Sequence, residues 1–520
     1  MALTLGDEAM NARHRTAIMK TPMSSASRGF VLATALLLVA CGKDSPTAPK
    51  KRVDDGTRVL SLARDTATLL LDEAVDLVVT VRNNAGDIVT DAPIVWTSSS
   101  EAIAAVSGQG HVSASGVGEA IITAAVGTSN VTARMRVVPQ FTQIATGGSH
   151  ACGITGVGRL YCWGSDLVGE LGAGTASPDC PSIGGKCSSY PLAVSLSQRV
   201  ASVAVGDWHT CALTETGKAY CWGADYYGQL GDGQSYFSTS APSPVAGGLP
   251  FASLAMGRMH TCGITAAGDA YCWGSDYWGQ LGSGTVPLDR CTFFFNNEAC
   301  SRVPLKVVGG QHFTSIVGSD RASCGLAVGG ATFCWGLEVG GADGTLCQGG
   351  ERTDCTRTPI NAANGFVFSA IGMGDVHKCG KSASGVLSCW GADYFGIIGN
   401  GTKGVYYSTP VTAAGGASWS SFVSGFSHLC ALTATGEARC WGQSLSGEVG
   451  DGTDAAERLV PSAVAGNHRF TSLSSTGQSS FTCGLLQSSR AVCWGHGTFG
   501  ELGNGAMSSS STPVPVKLIR

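Results

Sequence analysis

The chain has 520 residues, of which 13% are charged, and its formal net charge is −4. A chain of this length accommodates about two or three domains, and a low charge without long basic runs excludes the electrostatic surface that binds nucleic acid. The chain contains 74 glycines at recurring positions, which is typical of many tight turns. It also contains 21 cysteines, an odd and large number that favours an exported protein with disulfides.

The first segment, residues 1–40, has the pattern of a secretory signal peptide. A flank containing Lys20 and Arg28 precedes the apolar run of residues 30–40, which is shorter than the roughly 20 residues of a transmembrane helix. The run ends at Cys41 and resembles the lipobox of bacterial lipoproteins, which implies that Cys41 is lipidated. The alternative is an ordinary signal peptide that happens to precede a cysteine. The odd cysteine count favours lipidation, because one cysteine has no disulfide partner.

The residues around this signal refine its interpretation. Met19 or Met23 is a more ordinary start than Met1 for a signal of this kind. Residues 41–56 are polar and contain proline, which predicts a flexible, lipidated tether. Because Gly42 rather than aspartate follows the cysteine, the lipoprotein resemblance implies the cell envelope, at the outer membrane.

Residues 57–138 are predicted to form a small β-sandwich. Alternating runs at 75–81 and 120–124 are separated by turn signals. Residues 94–118 resemble the second group of bacterial immunoglobulin-like domains, which implies an extracellular spacer or adhesive module. Trp96 is expected to lie in the core of this domain.

From residue 141 onward, a cysteine followed ten positions later by Cys-Trp-Gly occurs seven times. Units that recur about every 50 residues indicate a propeller or a solenoid, and four strand-like pieces per unit favour a propeller. The sequence therefore predicts an all-β protein with a seven-bladed β-propeller over residues 141–520. The cysteine pairs are Cys152 with Cys162, Cys211 with Cys221, Cys262 with Cys272, Cys324 with Cys334, Cys379 with Cys389, Cys430 with Cys440, and Cys483 with Cys493.

Residues 209–231 show the repeat most completely and resemble the repeat of the regulator-of-chromosome-condensation family. Two units depart from it, since Ala322 and Phe481 replace the usual histidine. The resemblance implies the propeller fold. Guanine-nucleotide exchange on a small GTPase, the activity of the founding member, remains an alternative function, although no exchange residues can be transferred to this chain.

The two cysteines of each unit lie symmetrically about a hairpin turn, with Cα atoms expected about 5 Å apart, which suits a disulfide. Zinc binding by the histidine and both cysteines is the alternative, and the two units that lack histidine but keep both cysteines argue against it. Three further pairs lie in the longest units and are expected to pin their own insertions. These pairs are Cys180 with Cys187, Cys291 with Cys300, and Cys347 with Cys355.

The remaining polar residues give no sign of catalysis, a cofactor or a metal site. The histidines recur too often to be a general base and are expected to be structural, and the aspartates that follow Cys-Trp-Gly are expected to form turns. No nucleophile elbow, P-loop or zincin motif is present. The chain is therefore predicted not to be an enzyme. The residues are His150, His209, His260, His377 and His428, with Asp166, Asp225, Asp276 and Asp393.

Adjacent aromatic residues occupy one loop position in units two, three and five. They are candidates for binding a partner, because tyrosine and tryptophan are favoured at binding hot spots, but they also fit packing against the next blade. The insertions 176–190, 286–302 and 342–358 are the other candidates. The leading hypothesis is an exported protein-binding or scaffold module, and binding of cell-wall carbohydrate is a second alternative. The aromatic candidates are Tyr226, Tyr227, Tyr277, Trp278, Tyr394 and Phe395.

Overall fold

A computed structural model describes the chain from residue 58 to residue 517, except for residues 72, 139, 175–176, 181–183, 235–236, 294–295, 338–354 and 417. The described residues form an all-β protein with a single 3-10 turn, Ala246–Gly248, and no α-helix. No helix in this part of the chain is long and apolar enough to cross a membrane. The predicted signal peptide 1–40, Cys41 and the tether 41–56 lie outside the described residues.

The first nine strands form the immunoglobulin-like domain as sheets ordered β1-β4, β2-β9-β8-β5 and β3-β7-β6. Residues of β8 alternate between buried and exposed, so that Ala120, Ile122 and Ala124 face the core. Trp96 packs against this core, as predicted. The strands are β1 (Val59–Leu62), β2 (Thr66–Leu70), β3 (Ala74–Asp76), β4 (Val79–Arg82), β5 (Val95–Ser98), β6 (Ala104–Val106), β7 (His111–Ala114), β8 (Gly118–Val126) and β9 (Ser129–Val138).

The other strands form seven antiparallel sheets, which are the predicted blades. Blades 1 and 2 contain β10 (Phe141–Thr146), β11 (His150–Thr155), β12 (Leu160–Ser165), β13 (Cys187–Ala193), β14 (Val200–Val205), β15 (His209–Thr214), β16 (Ala219–Ala224) and β17 (Ser238–Pro244). Blades 3 and 4 contain β18 (Phe251–Met256), β19 (His260–Thr265), β20 (Ala270–Ser275), β21 (Arg290–Phe293), β22 (Asn296–Lys306), β23 (Phe313–Gly318), β24 (Ala322–Ala327), β25 (Thr332–Leu337) and β26 (Cys355–Asn361).

Blades 5 to 7 complete the ring with twelve strands. They are β27 (Ala370–Met373), β28 (His377–Lys381), β29 (Leu387–Asp393), β30 (Val405–Thr412), β31 (Trp419–Ser424), β32 (His428–Thr433), β33 (Ala438–Gln443), β34 (Glu457–Ala463), β35 (Phe470–Ser474), β36 (Phe481–Leu486), β37 (Ala491–Gly495) and β38 (Ser510–Pro515). Blade 3 has a fifth strand, because its predicted insertion folds as the β21–β22 hairpin on the outer edge of the blade.

The four strands of a blade are named A to D from the axis outward, and their antiparallel order fixes two faces of the propeller. The A–B and C–D connections lie on one face, here called the loop face. The B–C turns and the D–A connections lie on the opposite face, here called the turn face. The immunoglobulin-like domain precedes the first strand A and therefore adjoins the turn face, where Arg159 Nη1 donates to Ser115 O at 3.0 Å.

Neighbouring blades are held together by a tryptophan that each blade directs into the previous one. In blade 2, Trp222 Nε1 donates to Glu170 O of blade 1 at 2.8 Å. The same bond closes the ring, because Trp163 Nε1 of blade 1 donates to Glu501 O of blade 7 at 2.8 Å. Ser479 Oγ of blade 7 also donates to Gly147 O of blade 1 at 2.6 Å. Blade 7 is formed entirely by residues 470–515, so the ring closes through contacts between side chains and backbone rather than through a shared sheet.

Candidate functional site

The recurring histidines form buried bridges between blades. His209 Nε2 lies 2.8 Å from Thr261 Oγ1 of the next blade, and Thr261 Oγ1 donates to Gln229 O at 2.9 Å. Trp273 Nε1 donates to the same carbonyl at 3.0 Å. The hydroxyl has one hydrogen, which it gives to Gln229, so it accepts from the histidine and fixes the Nε2–H tautomer. This arrangement gives the histidine a structural role.

The same histidine bridge joins three other pairs of blades, and burial keeps these imidazoles neutral. The distances from Nε2 to the hydroxyl are 2.7 to 2.8 Å for His150–Thr210, His260–Ser323 and His428–Thr482. Burial lowers the pKa of the His150 imidazole to about 3 and that of His260 to about 4. Within the described residues, no group of three or more His, Cys, Asp or Glu side chains is placed to hold a metal ion.

A pattern in the sequence marks these bridges, although sequence reasoning missed it. Ala322 and Phe481 replace the histidine in blades 4 and 7, and the following blades lack the hydroxyl, with Lys378 and Ala151 at its position. His377 is the exception, because Leu429 stands opposite it. Its Nδ1 and Nε2 are buried without a hydrogen-bond partner among the described residues.

A disulfide joins the two cysteines of the B–C hairpin in every blade, which is the pairing that the spacing of ten residues predicts. The cysteines are buried at facing positions of strands B and C. The bonds are Cys152 to Cys162, Cys211 to Cys221, Cys262 to Cys272, Cys324 to Cys334, Cys379 to Cys389, Cys430 to Cys440, and Cys483 to Cys493.

The expected separation of these cysteines, about 5 Å between Cα atoms, was too large. The B–C turn sets the register, since Thr155 N donates to Arg159 O across the three-residue loop that ends at Gly158, whose φ is 77°. Counting back from that bonded pair places Cys152 and Cys162 at a position without backbone hydrogen bonds, where strands approach most closely. The Cα atoms are therefore 4.0 to 4.1 Å apart in all seven pairs.

Two of the three predicted insertion disulfides join described residues. Cys180 is bonded to Cys187 in blade 1, and Cys291 to Cys300 in blade 3. Cys355 is also disulfide-bonded, and its predicted partner Cys347 lies outside the described residues. Most of the insertion 342–358 lies outside them as well.

The C–D connection of blade 2 is shaped by two polar side chains. Asp225 Oδ1 accepts from Leu230 N at 3.1 Å, and Gln229 Oε1 accepts from Tyr227 N at 2.9 Å. The aspartate bond recurs at Asp166, Asp276 and Asp393, which confirms their predicted role in turns. The glutamine bond recurs in blade 3, where Gln280 Oε1 accepts from Trp278 N at 2.8 Å, whereas Ile397 occupies this position in blade 5. The two bonds therefore fix the backbone that carries the aromatic pairs of blades 2 and 3.

The first aromatic residue of each pair lies at the loop face. The Tyr226 ring is half-buried and stands edge-on to Trp208 of the A–B connection and to Phe237, with ring centroids 6.3 and 4.4 Å away. Tyr277 is half-buried and contacts Trp278 edge-on at 4.5 Å. Tyr394 is 63% exposed.

The second residue of the pairs in blades 2 and 3 packs against a neighbouring insertion or blade, which corrects part of the binding prediction. Tyr227 is only 6% exposed and packs on Cys291 and Cys300 of blade 3, so its ring is unavailable to a partner. Burial raises the pKa of its hydroxyl to about 12. Trp278 packs against Leu337 and Cys355 of blade 4, and Phe395 is half-buried.

Sequence reasoning missed several exposed apolar residues and a charged cluster on the loop face. Arg258 lies between the carboxylates of Asp207 and Asp320, at 3.0 and 3.7 Å, and its guanidinium stacks 5.1 Å from the Trp208 ring centroid. These residues come from the A–B connections of three blades, so their proximity has no local sequence signal. The exposed apolar residues that were not among the predicted candidates are Leu167, Phe237, Tyr406, Phe426 and Leu445.

Two family models described as the regulator of chromosome condensation (RCC1) repeat match the propeller. One matches residues 141–170, 200–229, 251–280 and 419–448, and the other matches residues 157–213 and 216–264. The chain carries RCC1 repeats. A model of the bacterial Ig-like domain (group 2) matches residues 60–137, which precede the RCC1 propeller.

Proteins that are similar to this chain match most of its length. The ultraviolet-B receptor UVR8 of Arabidopsis thaliana is 28% identical over 384 residues, which are 72% of this chain and 81% of the receptor. The human regulator of chromosome condensation is 26% identical over 410 residues, which are 78% of this chain and 83% of that protein. The structure of Prp20p from Saccharomyces cerevisiae has a TM-score of 0.57 at 21% identity and covers 69% of this chain and 85% of its own. At this identity, the structural likeness shows the fold alone.

Proposed function

We propose that this chain is an exported, lipid-anchored binding protein whose loop face recognises a protein partner. The exposed aromatic and aliphatic side chains of the loop face carry the proposal. Tyr394 is 63% exposed, Tyr406 is 65% exposed and Leu445 is 68% exposed. Large apolar side chains that are grouped on one surface favour association with another protein.

The domain order supports the same assignment. The immunoglobulin-like domain adjoins the turn face, and a lipid on Cys41 would precede it in the chain. The immunoglobulin-like domain, which connects the propeller to the anchor, therefore lies on the side of the propeller opposite the loop face. A protein with this fold does bind a protein, since yeast RCC1 (Prp20) was crystallised with bound Kap60. No described residue specifically favours nucleotide exchange or carbohydrate binding.

The anchor and the partner are tested separately. Metabolic labelling with radioactive palmitate is expected to mark the wild-type chain in the membrane fraction, and Cys41→Ala is expected to lose both the label and the membrane location. An unlabelled wild-type chain would refute the lipid anchor.

For the partner, the full mature chain is cross-linked in envelope extracts, and captured proteins are identified by mass spectrometry. Tyr394→Ser with Tyr406→Ser is expected to abolish specific capture. Val328→Ser is the control, because Val328 is 70% exposed but lies in a B–C turn on the turn face. Equal capture by the two variants would refute the loop-face assignment, and binding only on a glycan array would favour a carbohydrate ligand.

A further inference from the structure

At the centre of the loop face, the A–B connections surround a hollow of about 330 Å³, here called the vestibule. One side of its wall is charged, with Asp207, Arg258 and Asp320. The rest of the wall contains Phe426, Gln478 and His496. The volume is large enough for one long side chain but not for a folded segment of a partner.

The floor of the vestibule is closed by the A–B connection of blade 7. This connection contains the six residues 475–480, whereas its counterpart in blade 2 contains the three residues 206–208. A Cβ atom on Gly477 would lie 2.9 Å from Met373 O and 3.4 Å from Gly318 O, in blades 5 and 4 across the axis. The longer connection therefore crosses the axis, so that a group entering from the loop face meets a blind end.

The charged side of the vestibule contains two carboxylates and one guanidinium. Arg258 Nε lies 3.0 Å from Asp207 Oδ2, whereas Asp320 also contacts Arg321 Nε at 3.2 Å, outside the vestibule wall. The Asp207 side chain is 15% exposed. Burial raises the pKa of Asp207 to about 6, and Arg258 offsets this only in part. Asp207 is thus a poorly compensated carboxylate in a water-restricted site.

A polar side chain elsewhere in the vestibule wall also lacks a partner. Gln478 Oε1 and Nε2 have almost no solvent exposure and no hydrogen-bond partner among the described residues. Burying an amide without hydrogen-bond partners costs free energy. A ligand that donates a hydrogen bond to Oε1 would lower this cost. The wall of the vestibule therefore contains an unpaired amide as well as a carboxylate.

The charge of the whole loop face points to a cationic ligand as well. The described A–B and C–D connections contain eight carboxylate side chains that are not buried, against four cationic ones. The carboxylates are Asp179, Asp207, Asp232, Asp289, Asp320, Asp375, Asp451 and Asp454, and the cations are Lys186, Arg258, Arg321 and Lys403. Complementary charge steers association and suppresses the wrong partners. A partner that covers this face is expected to present basic residues.

We propose that the vestibule accepts the side chain of one lysine or arginine of the partner protein. Its N–H groups donate to the Asp207 carboxylate and to Gln478 Oε1, while its alkyl stem packs against Phe426 at the entrance. The inference rests on the proposed function, because the cation belongs to a protein that covers the loop face.

Alkyl cations test the vestibule without knowledge of the partner. n-Butylguanidinium and n-butylammonium are titrated by calorimetry into the full mature chain, with butyrate as an anionic probe of the same length. At least one cation is expected to bind saturably, and butyrate is not. Asp207→Asn and Gln478→Leu are each expected to weaken binding at least tenfold, with melting temperatures recorded for each variant. Asp454→Asn is the matched control, because it removes an exposed carboxylate of the same face outside the vestibule.

The inference would be overturned if no cation bound saturably or if butyrate bound more tightly than the cations. It would also be overturned if Asp454→Asn weakened cation binding as much as Asp207→Asn and Gln478→Leu. Excess n-butylguanidinium is also expected to displace a captured partner from the wild-type chain. If it failed to do so, the cation site would be refuted, whereas the proposed function would stand. Cation binding by a chain that captures no protein would instead remove the protein partner and leave the vestibule as a site for free organic cations.

Discussion

Replacement of Thr261 by valine tests whether the histidine bridges hold the blades together. The Thr261 hydroxyl accepts from His209 Nε2 at 2.8 Å and donates to Gln229 O at 2.9 Å, and it is fully buried. Valine keeps the shape but removes the hydroxyl. Gln229 O retains its bond from Trp273 Nε1, whereas the N–H of His209 loses its partner.

The expected cost in free energy of unfolding is about 1–3 kcal/mol, the penalty for one buried donor left unpaired. The interface between blades 7 and 1 suggests a rescue, because Phe481 and Ala151 occupy the two positions there. The double variant His209→Phe/Thr261→Ala removes both polar groups and is expected to cost less than Thr261→Val alone.

Guanidinium chloride unfolding, followed by tryptophan fluorescence with the disulfides intact, measures these differences. Thr216→Val is the control, because Thr216 lies exposed in a B–C turn and its replacement is expected to change the unfolding free energy by less than about 0.5 kcal/mol. If Thr261→Val is as stable as this control, the bridge contributes nothing to stability. The same conclusion follows if the double variant lowers the free energy of unfolding by the sum of the losses in its two single variants.

Three further predictions concern acid, ring closure and the disulfides. Burial lowers the pKa of the five bridge-position histidines to about 3 or 4, so the unfolded chain binds more protons below pH 6.5 and stability is lost as pH falls. Buried carboxyls with raised pKa have the opposite effect on stability at pH values above their ordinary pKa of 3.8 to 4.5. The fall in melting temperature is therefore expected to be steepest between pH 4 and 3, and a flat profile there would contradict neutral histidines. Ser479→Ala removes the 2.6 Å bond to Gly147 O between the terminal blades and is expected to cost about 1 kcal/mol in urea unfolding, more than Ser508→Ala at the exposed rim. Replacing Cys430 and Cys440 together by alanine opens a ten-residue loop and is expected to cost about 3 kcal/mol, and non-reducing peptide mapping that finds these thiols free in the wild type would contradict it.

Much of the propeller was predictable because its determinants are local. A three-residue turn fixes the register of each B–C hairpin, so residues ten apart face each other in all seven blades. The conformation of the C–D connections is also local, because Asp225 bonds to a backbone group five residues later. The different fates of Tyr226 and Tyr227 were not predictable, because the residues that bury Tyr227 belong to an insertion of blade 3.

The sequence by itself determined the number of blades, the all-β class, the pairing of the hairpin cysteines and the structural role of the recurring histidines. The cysteine pairing depends on hydrogen bonds and side-chain alternation within one hairpin, whereas the number of blades and the structural role of the histidines follow from the repetition of one unit along the chain. Only the tertiary structure decided which aromatic rings remain at the surface and which residues meet at the axis. Asp207, Arg258 and Gln478 come from three different blades, and closure of the ring, rather than any spacing along the chain, brings them to one hollow.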